Sequence, residues 1–330
     1  MIKKSKILII GGCGFIGYHL ANKLAKKENK NKITIIDNLS RGVFDSHIKS
    51  LIKNEGVKFK KIDLTKNNNI KSIDVDFDYI FQFAAILGVD KVIMNPSDVL
   101  YNNVMIHFNS CKIARIQKKL KKFIFSSTSE VFIGSSLKNK LKYPTKENHE
   151  ILLPNLINPR TSYMMSKIFC ETLNNFSNLP YINIRPHNIF GPRMGMAHVI
   201  PEIIINSLKI KRKEKFILKN PNHKRSFCYI SDAINQIIFI TSSKKYINDT
   251  FNIGSDKNEI SMNGLAKQIH KIINRDDIKI VNLKREHNSS PRRRLPDMSK
   301  IKKNYLAYNQ IGLINGIIKT YKWYKGHFTL

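Results

Sequence analysis

The stretch ILIIGGCGFIGYHLANKL leaves this chain few folds to choose from. A short apolar run, a glycine turn carrying Gly11, Gly14 and Gly17, and then apolar residues at helical spacing describe a buried strand feeding into an amphipathic helix. Asp37 ends the next Ile-rich run, 20 residues beyond Gly17. This is the layout that binds a dinucleotide. Gly11 permits the tight turn, Gly14 lets backbone approach a pyrophosphate, Gly17 lets the helix close on the strand, and the first helical turn with Phe15 and Ile16 turns its N–H groups to the phosphates. Asp37, with Asn38 beside it, is placed to accept hydrogen bonds from an adenosine ribose and would repel a 2′-phosphate. NAD is therefore expected over NADP, with Arg41 the one neighbour that works against that preference.

Further along, Ile-, Val- and Phe-rich runs alternate with longer segments of helical period, the pattern of βαβ units and a parallel sheet. Strands are predicted at 6–10, 33–37, 57–64, 79–85, 122–127 and 181–185, and helices at 15–28, 98–120 and 162–176. Asp63 and Leu64 close the third strand where an adenine edge would lie, although an Asp capping a helix start fits the spacing equally. Beyond residue 186 the character changes: HNIFGPRMG is loop-like, helices are expected near 198–210, 231–243 and 261–274, and the strands are brief. The expected fold is thus α/β, a Rossmann-type doubly wound parallel sheet over 1–186, with a smaller, mostly C-terminal substrate-binding lobe over 187–330, interleaved with the first domain.

Composition narrows the class. Lys and Arg outnumber Asp and Glu by 57 to 24, a formal charge of +33 that would suit nucleic acid. The lysines, however, are scattered through every segment alongside abundant Asn and Ile, whereas a dedicated nucleic-acid binder concentrates its charge on one face. No nucleic-acid partner is expected. Cys13, Cys111, Cys170 and Cys228 are far apart and form no C-x-x-C pair, so neither a metal site nor a disulfide framework is indicated. The apolar run after the basic N-terminus is too short for a signal-peptide core, and no segment approaches a membrane span. A cytoplasmic protein with reduced thiols and no membrane partner is expected.

SYMMSK places Tyr163 and Lys167 one helical turn apart. A phenol is a poor base at neutral pH, but a neighbouring ammonium favours its phenolate. Such a pair can take a proton from an alcohol while a nicotinamide takes the hydride. FIFSSTSEVF adds an apolar strand that ends in Ser126, Ser127, Thr128, Ser129 and Glu130. In an open parallel sheet, ligands sit beyond the carboxyl ends of the strands. Thr128 or Ser127 is therefore placed to donate to the reacting oxygen, with capping or turn formation the alternative account of Ser126 and Ser127.

With these motifs in order, from GGCGFIG through DNLSRG, FQFAA, NNV, SSTSEVF, SYMMSK, IRPHNIFGPR and RSFCYISDA to RRRLPDMSK, the chain resembles the extended short-chain dehydrogenase/reductases that modify nucleotide sugars, the NAD-dependent epimerase/dehydratases. The resemblance implies a catalytic set of Thr128, Tyr163 and Lys167, with Glu130 and Ser129 beside it. NAD would be held by the glycine turn, Asp37, Asn38, Asp63, Leu64, Ala84, Ala85, Asn103, Ser126, Tyr163 and Lys167. It also implies substrate contacts from Asn188, Arg193, Arg225 and Arg294, arginine being suited to phosphate and carboxylate, and a homodimer paired through the helices near 98–120 and 162–176. Gln82 stands where many relatives have His, Phe132 where Tyr is common, and Ile133 reads as an extra residue before Gly134.

In this family a sugar C4 hydroxyl is oxidised to a ketone, whose fate decides the product. The resemblance of STSE to the strand ends of UDP-glucuronate decarboxylases makes decarboxylation of UDP-glucuronate the first expectation, with a UDP-sugar 4-epimerase as the alternative and a GDP-mannose-type 4,6-dehydratase behind both. Ser129 stands where dTDP-glucose dehydratases carry an acidic Asp, and an alcohol is a feeble acid. A redox-dead sensor or nucleic-acid binder is the non-enzyme alternative.

Overall fold

The computed structural model describes residues 2–211, 214–257, 259–283, 290–305 and 311–327, with backbone alone at 67–69. In chain order the first part runs β1 (Lys6–Ile10), α1 (Phe15–Leu24), β2 (Lys32–Asp37), α2 (Ser46–Glu55), β3 (Lys58–Lys61), β4 (Tyr79–Gln82), α3 (Val89–Met94), α4 (Pro96–Arg115), β5 (Lys122–Ser126), α5 (Ile133–Leu137), α6 (Arg160–Asn175) and β6 (Tyr181–Pro186). The remainder runs β7 (Ile189–Phe190), α7 (Val199–Lys209), β8 (Lys215–Lys219), β9 (Lys224–Arg225), β10 (Cys228–Tyr229), α8 (Ile230–Ser242), β11 (Asp249–Ile253), β12 (Ile260–Ser261), α9 (Met262–Ile272), β13 (Lys279–Leu283), β14 (Arg293–Arg294), α10 (Ser299–Lys302) and α11 (Leu313–His327).

Two compact units emerge: Met1–Val131, Pro154–Pro186 and Ile234–Phe251 form the first, and Phe132–Leu153, His187–Ala233 and Asn252–Leu330 the second. In the first, the sheet order is β11-β6-β5-β4-β1-β2-β3, and β1 to β6 pair in parallel. The chain starts in the middle, winds outward to β3, and returns past β1 to build the other side. A topological switch point thus lies between β1 and β4, where such sheets bind ligands. The central strands read as unbroken apolar runs because helices cover both faces. On one face Leu8, Ile10, Ile36, Ile80, Phe123 and Phe125 pack with Ile106 and Ile113 of α4 and Cys170 of α6.

Several elements are shorter than the sequence pattern suggests, each for a local reason. α1 stops at Leu24 rather than 28 because the Asn29 and Asn31 amides donate to the carbonyls of Lys23 and Leu24, ending the helical ladder. α4 ends at Arg115 because Gln117 folds back onto the Ile113 carbonyl at 2.8 Å and accepts the Phe77 N–H at 2.9 Å. At the sheet edge, β3 covers only Lys58–Lys61, leaving Asp63 and Leu64 in the following turn. β5 ends at Ser126, and Ser129–Phe132 form a 3₁₀ turn instead of extending the strand. α2, absent from the sequence reading, is bounded by Asp45, whose carboxylate accepts the Ile48 N–H, and by Gly56 in the left-handed region.

The second unit is built of small sheets and helices. β8 and β13 pair in parallel, β12-β9-β14 form a three-stranded ribbon, and β7 pairs with β10. Arg293 holds Glu259 through two bonds of 2.7 and 2.9 Å.

Candidate active site

The glycine turn joins β1 to α1 at the switch point. Gly11 has φ +80°, and a Cβ there would fall 2.6 Å from the Ala84 amide nitrogen. At Gly17 a Cβ would lie 2.3 Å from the Gly11 carbonyl oxygen, so the helix could not close on the turn. Gly14 is different: a Cβ would touch only the Gly11 oxygen, at 3.2 Å, so packing alone does not call for glycine there. Gly14 caps α1 with no side-chain bond, and no acid lies in the first turn. The amides of Phe15, Ile16 and Gly17 precede the first intrahelical bond, Tyr18 N–H to Gly14 O, and face out of the helix end. A turn open at Gly14 beneath an uncapped, acid-free helix start fits a pyrophosphate.

Asp37 ends β2 buried, its carboxylate accepting the Cys13 N–H at 3.0 Å and the Leu39 N–H at 2.8 Å. These bonds tie the glycine turn to the strand that bears the acid, the arrangement a ribose site requires. Asp63 accepts the Thr65 N–H and hydroxyl at 2.9 and 2.8 Å, as a capping Asp does. Partial burial raises the Asp63 carboxyl, but hydrogen bonds from Thr65 and Asn38 bring it below its ordinary value. Asn38 and Asp63 are thereby linked beyond the ends of β2 and β3.

Tyr163 and Lys167 lie one turn apart on α6, as their spacing requires. Lys167 is buried; its Nζ donates to the Ser126 carbonyl at 2.7 Å and lies 4.8 Å from the Phe125 ring and 5.9 Å from the Tyr163 ring. Desolvation drives this ammonium from 10.5 down to about 8, against the raising effects of Cys170 and Glu171. Beneath it, burial and then Lys167 itself push His107 down to about 3, so that the imidazole is neutral. His107 bonds to Asn174 at 3.1 Å, and Asn174 donates to Asn183 at 2.7 Å.

Thr128 accepts the Glu130 N–H on Oγ1 at 3.2 Å, which leaves its hydroxyl proton free to donate. Ser127 is buried with an Oγ that makes no hydrogen bond, one strand away from a buried Gln82 whose Oε1 is likewise unsatisfied. Gln82 Nε2 donates to the Ala84 carbonyl at 2.9 Å, fixing the turn that Ala84 and Ala85 form. Asn103 accepts the Ile86 N–H at 2.7 Å and donates to the Ile86 carbonyl at 3.0 Å and Ser166 Oγ at 3.3 Å. Its side chain thus anchors the loop after β4 to α4 and α6, and Ser166 in turn donates to the Tyr163 carbonyl at 2.7 Å.

Two more residues of this unit bear on the site: Arg41, read from the sequence only as a counterweight to the NAD preference, and Arg160, which escaped that reading. Arg41 keeps much surface open to solvent, yet enough protein surrounds its guanidinium that desolvation lowers it, against the electrostatic pull of Tyr163. Arg160, the first residue of α6, donates to Glu130 at 3.2 Å, both side chains being mostly buried. Glu130 is thus met by an arginine one turn before Tyr163. No spacing rule could reveal that pair, since 30 positions separate its members.

Within the second unit, Arg225 and Arg294 sit opposite one another on the parallel pair β9–β14. Arg225 is buried and donates to the carbonyls of Lys224 and Pro291 at 2.8 and 2.6 Å, so part of its fork supports the ribbon. Asn188, with φ +44°, donates to the Ser226 carbonyl at 2.9 Å, and Arg193 has φ +66°. Among the described residues no cluster of three or more His, Cys, Asp or Glu could hold a metal ion, no helix is long and apolar enough to cross a membrane, and the four cysteines are free and buried.

Comparison with known proteins places this geometry. The chain matches the NAD dependent epimerase/dehydratase family over residues 7–254. It is 30% identical over 334 residues to the UDP-N-acetyl-alpha-D-glucosaminuronate decarboxylase of Bacillus cytotoxicus, covering 98% of each chain. It is also 30% identical over 307 residues to UDP-glucuronic acid decarboxylase 3 of Arabidopsis thaliana, covering 90% of this chain and 82% of that one. The solved UDP-glucuronic acid 4-epimerase of Bacillus cereus, in complex with UDP-glucuronic acid and NAD, aligns with a TM-score of 0.79 at 25% identity over 98% of this chain and all of that one. The chain belongs to the NAD dependent epimerase/dehydratase family, enzymes that modify nucleotide sugars on a Rossmann-type fold.

Proposed function

We propose that this enzyme oxidises C4 of a UDP-hexuronate and releases the C6 carboxyl group as carbon dioxide. The observation that carries the reading is the Glu130 turn: a carboxylate fixed two residues beyond Thr128, with its own N–H holding the Thr128 hydroxyl. A bare 4-epimerase has no use for a carboxylate at that place. Decarboxylases among the relatives, one matched along 98% of both chains, support it.

Tyr163, with the Lys167 ammonium facing its ring, takes the C4 hydroxyl proton while Thr128 donates to the same oxygen. The chemistry that bound NAD would supply here is an acceptor for the C4 hydride that could also give it back. Gly11 to Gly17, Asp37 and Asn38 would hold the dinucleotide, and Asn103 fixes the loop of Ala84 and Ala85 beside it. With C4 a ketone, the substrate is a β-keto acid. Its C5–C6 bond breaks, the electron pair passes to the C4 oxygen as an enolate beside Thr128 and Tyr163, and C5 then takes a proton.

Incubation with UDP-glucuronate, or its 2-acetamido analogue, is expected to release carbon dioxide with a UDP-pentose or its 4-keto precursor. A UDP-galacturonate product alone would establish epimerisation instead. Tyr163→Phe is expected to lower kcat by at least about a hundredfold, whereas a redox-dead sensor would be indifferent to it. Exposed Leu100, Tyr101 and Phe108 on α4, and Phe169 and Phe176 at α6, form an apolar face that supports a homodimer. The four free, buried thiols support a cytoplasmic setting.

A further inference from the structure

We infer that Arg160 is the specificity-determining residue that reads the C6 carboxylate, and that Glu130 holds its place when no uronate is bound. The inference rests on the proposed function and names the group that selects its substrate class. Arg160, Tyr163 and Lys167 follow one another at i, i+3 and i+7, so they lie along one face of α6. The first turn that carries Arg160 is held firmly. Asn158 accepts the Arg160 N–H at 3.0 Å, the Asn158 carbonyl takes the Thr161 N–H at 2.8 Å, and Thr161 Oγ1 donates to Asn155 at 2.8 Å.

The distances within a sugar then fix the rest. The carboxyl carbon of a hexuronate is only two bonds from C4. A pocket that holds the C4 oxygen between Thr128 and Tyr163 must therefore hold the carboxylate within reach of the next polar groups, and Glu130 and Arg160 are one short step away on both elements. Glu130 alone would repel that carboxylate. The guanidinium has the geometry to bind it, in a setting where the two side chains retain only 13% and 19% of their exposure and charges are poorly screened. A substrate carboxylate that takes over Arg160 leaves Glu130 beside a second carboxylate, the group that the reaction expels as uncharged carbon dioxide.

The test uses the full-length, NAD-saturated protein and two probes, UDP-glucuronate and UDP-glucose, which share the nucleotide and the C4 hydroxyl but differ at C6. Dissociation constants are measured by titration calorimetry for wild type, Arg160→Met and Glu130→Gln. Arg160→Met is expected to weaken UDP-glucuronate roughly ten- to a hundredfold while moving UDP-glucose by less than about threefold. Glu130→Gln, which removes the competing anion, is expected to tighten UDP-glucuronate alone. Equal weakening of both probes in Arg160→Met would assign Arg160 to the support of α6 and overturn the inference, as would an unchanged UDP-glucuronate affinity in both variants. The wild-type product is read separately: if it is only UDP-galacturonate, the decarboxylase reading falls while the selectivity of Arg160 stands.

Discussion

Replacing Lys167 by Met should destroy catalysis and stabilise the fold, and the two effects should follow pH differently. Lys167 is buried, and its ammonium is driven from 10.5 to about 8, principally by desolvation. That displacement corresponds to roughly 3 kcal/mol against the folded, charged form at neutral pH. Met has a similar volume and no charge, and it can pack on the Phe125 face that Lys167 now covers at 4.8 Å. The substitution also leaves the Ser126 carbonyl without its donor, a loss of about 1 kcal/mol. The net expectation is a variant more stable than wild type by about 2 kcal/mol at pH 7. The sign of the pH dependence follows from linkage. The folded protein binds this proton less tightly than the unfolded chain does, so wild type gains stability as pH rises from about 8 towards 10.5. The advantage of the variant is therefore greatest below pH about 8 and is lost before 10.5, where the missing Ser126 bond leaves wild type the more stable. Urea unfolding of the NAD-free proteins across this range measures it. A variant that is less stable at pH 7, or a difference that does not change with pH, would show that the ammonium is fully compensated where it sits and would refute the reasoning.

Two further substitutions separate packing from ligand binding. Gly17→Ala places a Cβ 2.3 Å from the Gly11 oxygen and 2.9 Å from the Gly12 Cα, both backbone, so α1 must move off the sheet; a destabilisation of at least about 3 kcal/mol is expected in thermal unfolding. Its companion Gly14→Ala meets one oxygen at 3.2 Å and should fold while losing NAD affinity in fluorescence titration. Asn103→Ala removes both bonds to Ile86 and one to Ser166, and should lower stability by about 2 kcal/mol and weaken NAD retention, since the Ala84–Ile86 loop loses its anchor. Unchanged NAD retention in that variant would separate the loop from the cofactor.

The parts of this molecule written in local patterns could be read before any coordinates. β1, the glycine turn and Asp37 carry their places in spacing, and Tyr163 with Lys167 share a helix turn. Ends of elements were harder to place, because they are fixed by side chains from elsewhere: Asn31 stops α1, and Gln117 binds α4 to the segment before β4. Ser129 and Glu130, read as belonging to the end of the strand, lie instead in the 3₁₀ turn Ser129–Phe132, since hydroxyl residues suit either state. Least legible was Arg160. Its meaning depends on Glu130, and in a chain with 57 Lys and Arg an additional arginine carries no signal of its own.

The cationic excess also sharpens what is unusual about Lys167. Two carboxylates elsewhere in its unit are met by arginine, Glu171 by Arg185 through bonds of 2.9 and 2.6 Å and Glu130 by Arg160. Lys167 is instead met by a carbonyl and two ring faces, while the groups packed nearby are held uncharged. His107 is pushed down to about 3, and burial pushes the Cys111 and Cys170 thiols up to about 12. A carboxylate bound directly to Lys167 would relieve its desolvation but would also cancel its field at Tyr163. A positive charge kept at the expense of stability, in surroundings that do not titrate near neutrality, stays available to the phenolate. The same reasoning accounts for Glu171, one turn further along α6, being bound to Arg185: left alone it would return Lys167 towards an ordinary ammonium.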